Sequence, residues 1–519
     1  MSAVTIVQSV VRELVAYGVR EAVLAPGSRS GPLALALAAA DEQGLIRLHV
    51  RVDEREAAFL ALGLAKASRT PVPVVTTSGT AVANLHPAML EALHANIPLV
   101  AITADRPARL RGTGANQTTE QRGVFPGIRV ASGPDDVVTF FEPTHLNLEL
   151  DEPLLEPIVW DFSGRPSGEF HGSLEEVPTE HLALGPRTVV IAGDDARQLA
   201  RVLARDAGWP LLAEPSSGSR NGEALVAYRL LLAHSPLAEQ VERVVSLGHA
   251  TLTRPVTQLL ARTDIPIVHV GTQATFPVPA GPNVTFTDAV SVDGSDDGSW
   301  LEAWQGADAT ATAVVDALVA GTPYDVALTV NRAVPPEGLL FVGSSSPIRD
   351  LDLVARPYTV GERRLVIANR GLAGIDGVLS SAIGAALARP SSRAIAYVGD
   401  LTFLHGSNGL LIGPAEPRPD LTIVVAADDG GSIFSTLEQG APEYVDSFER
   451  VFATPTGADL GALCAGYGVP HRVLAPADLA AALAEDVTGI RVLEVPVDRT
   501  GRRELDARIG AAVRAAIRP

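Results

Sequence analysis

Short β-rich runs alternate along the chain with longer stretches rich in alanine and leucine, and Gly or Asp turns separate the two. Several of the short runs are apolar throughout, as strands buried on both faces of a parallel sheet should be. Repetition of strand, turn and helical stretch is typical of parallel sheets joined by crossover helices. The predicted strands cover residues 22–25, 72–76, 99–103, 188–192, 243–247, 266–270, 339–342, 394–398 and 421–426.

The first residues of the chain have the spacing of an amphipathic helix. Apolar side chains recur at Val4, Val7, Val11, Leu14 and Val15, so that they share one helical face. No basic stretch precedes them, and we therefore expect a helix that faces the core rather than a signal peptide.

Two breaks in this rhythm predict three domains. Residues 153–186 are rich in Pro, Gly and Glu, and a second break covers residues 321–338. We therefore expect an α/β protein with three doubly wound parallel-sheet domains, at about 1–185, 186–330 and 331–519. The first and third domains look alike in their sequence pattern.

Composition narrows the class of function. The chain has 519 residues, 46% of them hydrophobic, which is too much for one core, and its net charge of -19 opposes binding to a nucleic-acid backbone. The longest early apolar run, residues 32–40, is far shorter than the roughly 20 residues of a membrane-spanning helix. The lone cysteine, Cys464, excludes an internal disulfide framework and fits a reducing compartment. These features favour a cytoplasmic enzyme that acts on small molecules, with no nucleic-acid partner and no membrane-spanning segment.

Acidic residues stand where two predicted strands end. Asp400 follows the strand at 394–398, and Asp428 follows the next strand, 428 - 400 = 28 residues further on, which is the length of one crossover. Carboxyl ends of parallel strands share one edge of a sheet, where ligands bind, and carboxylate oxygens suit Mg²⁺. The alternative is that each Asp only caps the helix that follows it.

The segment from Asp400 to Gly431 resembles the diphosphate-binding motif of thiamine-diphosphate-dependent enzymes, which opens with Gly-Asp-Gly and closes with a pair of Asn residues. Leu401 replaces the Gly that usually ends the opening triplet, and Asp428 and Asp429 stand where Asn is common. The resemblance implies that Asp400, Asp428 and the backbone carbonyl of Gly430 bind Mg²⁺, or Mn²⁺ in its place. A contribution from Asp429 stays open.

Glu54, which precedes the helical run 57–67, resembles the glutamate that these enzymes place beside the aminopyrimidine ring of the coenzyme. A carboxylate bonded to the ring nitrogen N1′ sets the tautomer in which the coenzyme's own 4′ nitrogen acts as a base. The alternative is a glutamate at the start of a helix, stabilised by the helix dipole. The resemblance also implies cofactor contacts from Pro26, Thr77, Ile375, Gly399, Asp400, Gly430, Gly431 and Ile433.

Further stretches narrow the resemblance to the carboligases of menaquinone biosynthesis. It runs through the first and third domains almost end to end and is thin in the middle domain, where it rests on Thr253-Arg254-Pro255. It implies a pyrimidine-binding first domain, a Rossmann-like middle domain and a diphosphate-binding third domain. The implied reaction is decarboxylation of 2-oxoglutarate followed by conjugate addition of the succinyl unit to isochorismate. The stretches are 26–32, 77–84, 103–107, 114–118, 345–349, 369–371 and 374–377.

Arginines near predicted strand ends agree with those substrates. Both 2-oxoglutarate and isochorismate carry two carboxylates, which guanidinium groups bind in bidentate pairs. The substrate-binding candidates are Arg29, Arg106, Arg254, Arg349 and Arg370, with Ser28, Asn116, Gln117 and Ser345 as hydrogen-bonding neighbours. By its position in the motif, Gln117 is also a catalytic candidate, together with Glu54. Each arginine by itself could equally be a surface ion-pair partner.

Other functions stay open on the sequence alone. Another thiamine-diphosphate 2-oxoacid decarboxylase, or an acetolactate-type carboligase, would share Glu54 and Asp400 but gives no reason for so many arginines. A dehydrogenase would need a G-x-G-x-x-G turn, which residues 192–195 lack. A non-catalytic relative would have lost Glu54 or Asp400. The resemblance further implies a homodimer, or a homotetramer built as a dimer of dimers.

Overall fold

The computed structural model describes residues 2–131, 133, 142–164, 179–271, 281–390 and 393–517. Within these residues the strands pair in parallel, and helices join them. The strands are β1 (Glu21–Leu24), β2 (Arg47–Val50), β3 (Val72–Thr76), β4 (Leu99–Asp105), β5 (Arg129–Ala131), β6 (Thr144–Glu149), β7 (Thr179–His181), β8 (Thr188–Ala192), β9 (Leu211–Ala213), β10 (Arg243–Leu247), β11 (Ile267–Val270), β12 (Val284–Thr287), β13 (Ala289–Ser291), β14 (Leu339–Val342), β15 (Leu365–Ile367), β16 (Ala394–Gly399), β17 (Leu421–Ala427), β18 (His471–Val473) and β19 (Ile490–Pro496).

The helices follow the strands in the alternation that the sequence pattern predicts. They are α1 (Ala3–Ala16), α2 (Gly31–Glu42), α3 (Glu54–Ser68), α4 (Thr80–Asn84), α5 (His86–Ala95), α6 (Leu199–Ala207), α7 (Tyr228–His234), α8 (Arg254–Leu260), α9 (Ser299–Val319), α10 (Pro323–Ala333), α11 (Ser346–Val354), α12 (Val378–Leu387), α13 (Asp400–His405), α14 (Ile433–Thr436), α15 (Val445–Phe448), α16 (Leu460–Gly466), α17 (Leu479–Ala484) and α18 (Arg502–Ala516).

The first and last sheets share one topology. The sheet nearest the N-terminus has the strand order β2-β1-β3-β4-β6-β5, and the last sheet has the order β15-β14-β16-β17-β19-β18. The two orders are identical once each sheet is numbered from its own first strand, as the likeness between the first and third domains predicted. Strand order reverses between β1 and β3, and again between β14 and β16, and ligands of doubly wound sheets bind at such points.

The middle sheet has the order β12-β11-β10-β8-β9, the flavodoxin-like order of a doubly wound sheet. Its reversal point lies between β8 and β10. There the backbones of Asp194 and His249 exchange two hydrogen bonds, of 3.1 and 2.9 Å, which join the loops that follow the two strands. The chain's own backbone therefore bridges the place where a dinucleotide would bind, in keeping with the missing glycine-rich turn.

The predicted strands are confirmed. Those at 72–76, 188–192, 243–247 and 339–342 have the bounds of β3, β8, β10 and β14, and the others differ by one or two residues at their ends. Strands such as β2 and β18 were missed because they are short and partly polar. The amphipathic helix near the N-terminus is also confirmed, since α1 buries four of the five apolar residues that predicted it, and Val15 is partly exposed.

Two compact units make up the chain. The first comprises Met1–Leu174, Gly371–Ser391 and His405–Asp420, and the second comprises Glu175–Arg370, Ser392–Leu404 and Leu421–Pro519. In the first unit, α12 packs against α3 so closely that a Cβ added to Gly63 would overlap the carbonyl oxygen of Ser381. The domain boundaries near 185 and 330 stay a prediction.

Each unit has an apolar core of its own. In the first unit, α1 and α2 pack on the sheet through residues such as Val7, Leu37 and Ile102. In the second unit, one continuous core includes Trp304 of α9 and Tyr324 of α10. In the described part of the chain, no single helix is both long and apolar enough to cross a membrane. Helices α9 and α10 pass that test of length and composition only as a pair, with a bend of 115° between them.

Candidate active site

In the first unit, the loops that follow β1 and β3 lie side by side where the strand order reverses. Pro26 is in the first loop and Thr77 in the second, and a Cβ added to Gly27 would overlap the side chain of Thr77. Glycine at position 27 therefore allows the close contact. The hydroxyl oxygen of Thr77 is buried without a hydrogen-bond partner among the described residues, as expected of a group that faces a ligand.

Ser28 and Arg29 continue the loop after β1. Ser28 is exposed, whereas Arg29 is buried. The Nη1 atom of Arg29 donates a 3.1 Å hydrogen bond to the carbonyl oxygen of Leu150, and its Nη2 lies 3.5 Å from Oε1 of Glu152. The backbone after β6 thus fixes the direction of this guanidinium group.

Helix α3 begins at Glu54, but Asp53 caps it. The carboxylate of Asp53 accepts hydrogen bonds from the backbone N–H groups of Arg55 and Glu56, at 3.0 and 3.2 Å. Glu54 is half-buried, and its Oε2 accepts a 3.4 Å hydrogen bond from Nδ2 of Asn84. Capping therefore does not occupy the Glu54 carboxylate, which leaves it free for the predicted contact with a ring nitrogen.

The loop after β4 brings three of the candidates together. The Nε atom of Arg106 donates a 2.7 Å hydrogen bond to the carbonyl oxygen of Asn116. The next residue, Gln117, is exposed and has a φ of 51°, and its carbonyl accepts a 2.8 Å hydrogen bond from the hydroxyl of Ser78. Arg106, Asn116 and Gln117 consequently lie beside the turn that follows β3.

A buried polar network, which the sequence analysis missed, supports this loop. Gln121 accepts a 2.9 Å hydrogen bond from the backbone N–H of Gly79 and donates one of 2.8 Å to Asn147. Asn147 in turn donates to Asp105 at 2.9 Å, and Asp105 accepts from the backbone N–H of Arg106 at 2.7 Å. Polar residues inside apolar strands, such as Asn147 in β6, are the sequence signal of such a network.

In the second unit, Asp400 and Asp428 follow the neighbouring strands β16 and β17, as predicted. Asp400 begins α13, and its carboxylate accepts hydrogen bonds from the backbone N–H groups of Leu401, at 2.6 Å, and Gly430, at 3.2 Å. The first bond is to the N–H of the next residue and not to the N–H two or three residues on that a helix cap uses, and the second reaches across to the loop after β17.

Both carboxyl groups are desolvated. Burial raises the pKa of Asp400, and burial raises the pKa of Asp428 to about 7, where the negative charge of Asp400 adds to the effect. In the described part of the chain, no group of three or more His, Cys, Asp or Glu side chains could hold a metal ion. A cation held by these two acids would therefore need other donors, such as a backbone carbonyl, water or a phosphate oxygen.

Asp429 and Gly430 shape the loop after β17. Oδ1 of Asp429 accepts hydrogen bonds from the backbone N–H groups of Thr456 and Gly457, both at 3.0 Å. Gly430 has a φ of 154°, and a Cβ there would lie 2.6 Å from the carbonyl oxygen of Ala453, so a side chain does not fit. The carboxylate of Asp429 therefore ties the loop to the segment at 456–457.

Two arginines near the start of α18, also missed from the sequence, hold this region by its carbonyl groups. Arg499 donates to the carbonyl oxygens of Asp428 and Asp429, at 2.8 and 2.9 Å. Arg503 donates to those of Ser435 and Leu437, at 3.0 and 2.7 Å. Both arginines lie far along the chain from the motif, so spacing within the motif could not reveal them.

Arg349 and Arg370 come together in the second unit. Burial lowers the pKa of Arg349, and the positive charge of Arg370 lowers it further. Arg349 donates a 2.9 Å hydrogen bond to the carbonyl oxygen of Ser345, whose φ of 71° is strained for a residue with a side chain. Arg370 is buried and donates a 3.3 Å hydrogen bond to the hydroxyl of Thr251. Two neighbouring guanidinium groups of this kind suit an anionic ligand.

Arg254 differs from the other candidates of this unit. It begins α8, is exposed, and forms an ion pair with Glu438, which is equally exposed. This is the surface ion pair that the sequence analysis gave as the alternative for every arginine.

The remaining candidates have unremarkable positions. Gly399 ends β16, and the backbone N–H of Gly431 donates a 2.7 Å hydrogen bond to the carbonyl oxygen of Ala453. Ile433 begins α14, and Ile375 is half-buried in the first unit. Cys464 is buried, as predicted, and burial raises the pKa of its thiol to about 11.

Comparison with known proteins agrees with this arrangement of loops. Residues 4–124 match the family model of the thiamine pyrophosphate enzyme N-terminal TPP binding domain, and residues 352–495 match that of the C-terminal TPP binding domain. The first match covers Glu54 and the loops after β1 and β3. The second covers Asp400 and Asp428.

Full-length relatives narrow the family further. The chain is 53% identical to the 2-succinyl-5-enolpyruvyl-6-hydroxy-3-cyclohexene-1-carboxylate synthase of Nocardioides sp. (strain ATCC BAA-499 / JS614), over 98% of both chains. It is 45% identical to the synthase of the same name from Kineococcus radiotolerans, over 97% of both chains. With that of Nocardia farcinica the identity is 44%, over 97% of this chain and 98% of the relative. The chain therefore belongs to the 2-succinyl-5-enolpyruvyl-6-hydroxy-3-cyclohexene-1-carboxylate synthase family of thiamine pyrophosphate enzymes.

Proposed function

We propose that this chain decarboxylates 2-oxoglutarate and adds the resulting succinyl unit to isochorismate, giving 2-succinyl-5-enolpyruvyl-6-hydroxy-3-cyclohexene-1-carboxylate. The observation that carries the proposal is the identity of 53% to a synthase of that name over nearly the whole of both chains. The positions of Glu54 and of Asp400, at the start of α3 and at the end of β16, support it.

Thiamine diphosphate, when bound, supplies the nucleophilic carbon and the electron sink that decarboxylation of a 2-oxoacid requires. Glu54 is proposed to hold a proton at a ring nitrogen of the coenzyme, through a carboxylate that capping does not occupy. Pro26, Thr77 and Ile375 would contact the same coenzyme, and the buried, unpartnered hydroxyl of Thr77 fits such a contact.

Asp400 and Asp428 are proposed to hold Mg²⁺, or Mn²⁺, together with the carbonyl of Gly430. Their oxygen atoms suit a hard cation, and a divalent charge would offset the cost of two buried carboxylates side by side. Gly399, Gly431 and Ile433 would line the diphosphate end of the coenzyme. Asp429 is left out of the proposed metal site because its carboxylate holds Thr456 and Gly457.

The arginines are proposed to hold the substrate carboxylates. Arg349 and Arg370 form a positively charged pair in the second unit, and Arg29 and Arg106 have directions fixed by backbone carbonyls in the first. Ser28, Asn116, Gln117 and Ser345 complete the proposed substrate contacts, and Arg254 would join them only by giving up its ion pair with Glu438. A substrate without the distal carboxylate, such as pyruvate, would leave a buried guanidinium group unpaired, which is unfavourable.

Release of carbon dioxide from 2-oxoglutarate tests this function. We expect release that depends on thiamine diphosphate and Mg²⁺, increases on addition of isochorismate, and is weak with pyruvate. Release from pyruvate that equals release from 2-oxoglutarate would point instead to another 2-oxoacid decarboxylase or an acetolactate-type carboligase. No release from any 2-oxoacid would refute the proposal.

A further inference from the structure

Glu214 is a buried acid that interacts electrostatically with Arg370, and the proposed reaction gives it no task. It follows β9, is 1% exposed, and accepts a 2.9 Å hydrogen bond through Oε1 from the backbone N–H of Leu252. Its other oxygen, Oε2, is buried without a hydrogen-bond partner among the described residues. A buried carboxyl oxygen that lacks a donor is costly, above all when it is charged, so its presence calls for an explanation.

The hydrogen bond to Leu252 joins Glu214 to the loop between β10 and α8. Thr251, in the same loop, accepts the hydrogen bond from Nη2 of Arg370. The loop then leads directly to Arg254 at the start of α8. Glu214 consequently supports the stretch of backbone against which the Arg370 side chain rests.

Burial is the main reason why the neutral form of Glu214 is favoured. Burial raises its pKa to about 8, and two neighbouring acids act in the same direction, whereas Arg370 and the hydrogen bond from Leu252 act against it. At neutral pH the carboxyl group is therefore mostly protonated. The groups that face it are Asp194 after β8, Tyr228 of α7, Asp352 of α11 and Arg370.

We propose that Glu214 is a positioning residue, which by remaining uncharged keeps Arg370 available to a substrate carboxylate. The inference rests on the proposed function, because it takes Arg370 as a substrate-binding group. An ionised Glu214 would attract the Arg370 guanidinium, with which it interacts electrostatically, and would repel an incoming carboxylate. Ionisation should consequently weaken substrate binding and leave the chemical steps largely unaffected.

Steady-state rates with 2-oxoglutarate and isochorismate between about pH 6.5 and 9 test this inference. In the wild-type holoenzyme, KM for one of the two substrates should rise about tenfold from pH 7 to 9, since a group with a pKa near 8 loses its proton there. The value of kcat should change less. In Glu214→Gln the rise should disappear, because the amide still accepts the Leu252 N–H but cannot ionise.

Asp308→Asn is the matched control. Asp308 is also buried, with a pKa raised by burial, and it accepts hydrogen bonds from the backbone N–H groups of Val226 and Ala227, at 3.1 and 2.7 Å. This variant should keep the wild-type rise in KM. The inference is overturned if KM of Glu214→Gln still rises with pH as in the wild type. It is also overturned if Asp308→Asn loses that rise as well.

Thr251→Val tests the same support without altering the buried acid. Loss of the hydroxyl that holds Arg370 should raise KM several-fold at pH 7 and change kcat little, and an unchanged KM overturns the inference. A wild-type holoenzyme with no turnover refutes the proposed function and the inference with it. If the wild type turns over but KM of Glu214→Gln rises with pH as it does in the wild type, only the inference is refuted.

Discussion

Two glutamates on α3 have opposite surroundings and therefore different tasks. Glu54 is half-buried and contacts Asn84, whereas Glu56 is buried and accepts a 2.6 Å hydrogen bond from the hydroxyl of Ser380 on α12. Burial raises the pKa of Glu56 to about 7 despite the nearby charge of Arg55. One carboxyl group is thus available to a coenzyme, and the other is part of the contact between two helices.

Glu54→Gln should lower kcat at least 100-fold, because the amide cannot hold the coenzyme's ring in the required tautomer, a contribution typical of a positioned acid or base. The melting temperature and the far-ultraviolet circular dichroism should stay those of the wild type. Near-normal turnover would show that the role assigned to Glu54 is wrong. Glu56→Gln, two residues away, is the matched control and should retain activity.

Glu56→Gln should alter how stability depends on pH. The folded chain keeps the Glu56 proton up to about pH 7, whereas the unfolded chain releases it near the ordinary glutamate pKa of 4.5. The protonated Glu56 therefore contributes to the free energy of unfolding in full below pH 4.5. This contribution, on the order of 3 kcal/mol, is lost as the pH rises to 7. The variant lacks this loss. Its melting temperature should rise relative to the wild type between pH 5 and 8, and a constant difference would contradict the assignment.

Among the helices, the contact between α3 and α12 depends on glycine. A Cβ added to Gly384 would overlap the carbonyl oxygen of Leu60 and lie 2.9 Å from the backbone nitrogen of Leu64. Because Glu54 begins α3, the direction of its side chain depends on how closely these two helices approach. The same contact contains the hydrogen bond between Glu56 and Ser380.

Gly384→Ala should therefore force α3 and α12 apart. We expect a loss of about 1–3 kcal/mol in the free energy of unfolding, as for other overpacked contacts, together with weaker binding of thiamine diphosphate. Thermal melting and titration with the coenzyme measure the two effects. Gly306→Ala in α9 is the control, since a Cβ there has nothing within 4 Å, and it should be neutral or slightly stabilising. Equal behaviour of the two variants would contradict the account.

For the chain as a whole, the features that could be predicted from the sequence are those that short-range patterns determine, namely buried strands and motifs beside strand ends. Buried strands such as β3 and β8 are runs of apolar residues, and the acids at 54, 400 and 428 stand in motifs beside strand ends. Contacts between distant segments were not predictable. Asn147, Glu214 and Arg499 act through partners that are 26, 38 and 71 residues away along the chain. Only the fold brings such pairs together.

Assembly is a further property of the whole molecule. We propose a homodimer, or a homotetramer built as a dimer of dimers, because the family resemblance implies it. Sedimentation of the purified chain with thiamine diphosphate and Mg²⁺ should give a mass twice that of one chain, or four times. A single-chain mass that persists in fully active enzyme would contradict the proposed dimer.

Calorimetric titration of the purified chain with thiamine diphosphate tests the central claim most directly. We expect saturable binding in the presence of Mg²⁺, which is lost when a chelator removes the metal and is greatly weakened in Asp400→Asn. Such a result would connect the coenzyme to the acid at the end of β16. Absence of binding in the presence of Mg²⁺, or binding that is indifferent to both the metal and Asp400, would contradict it.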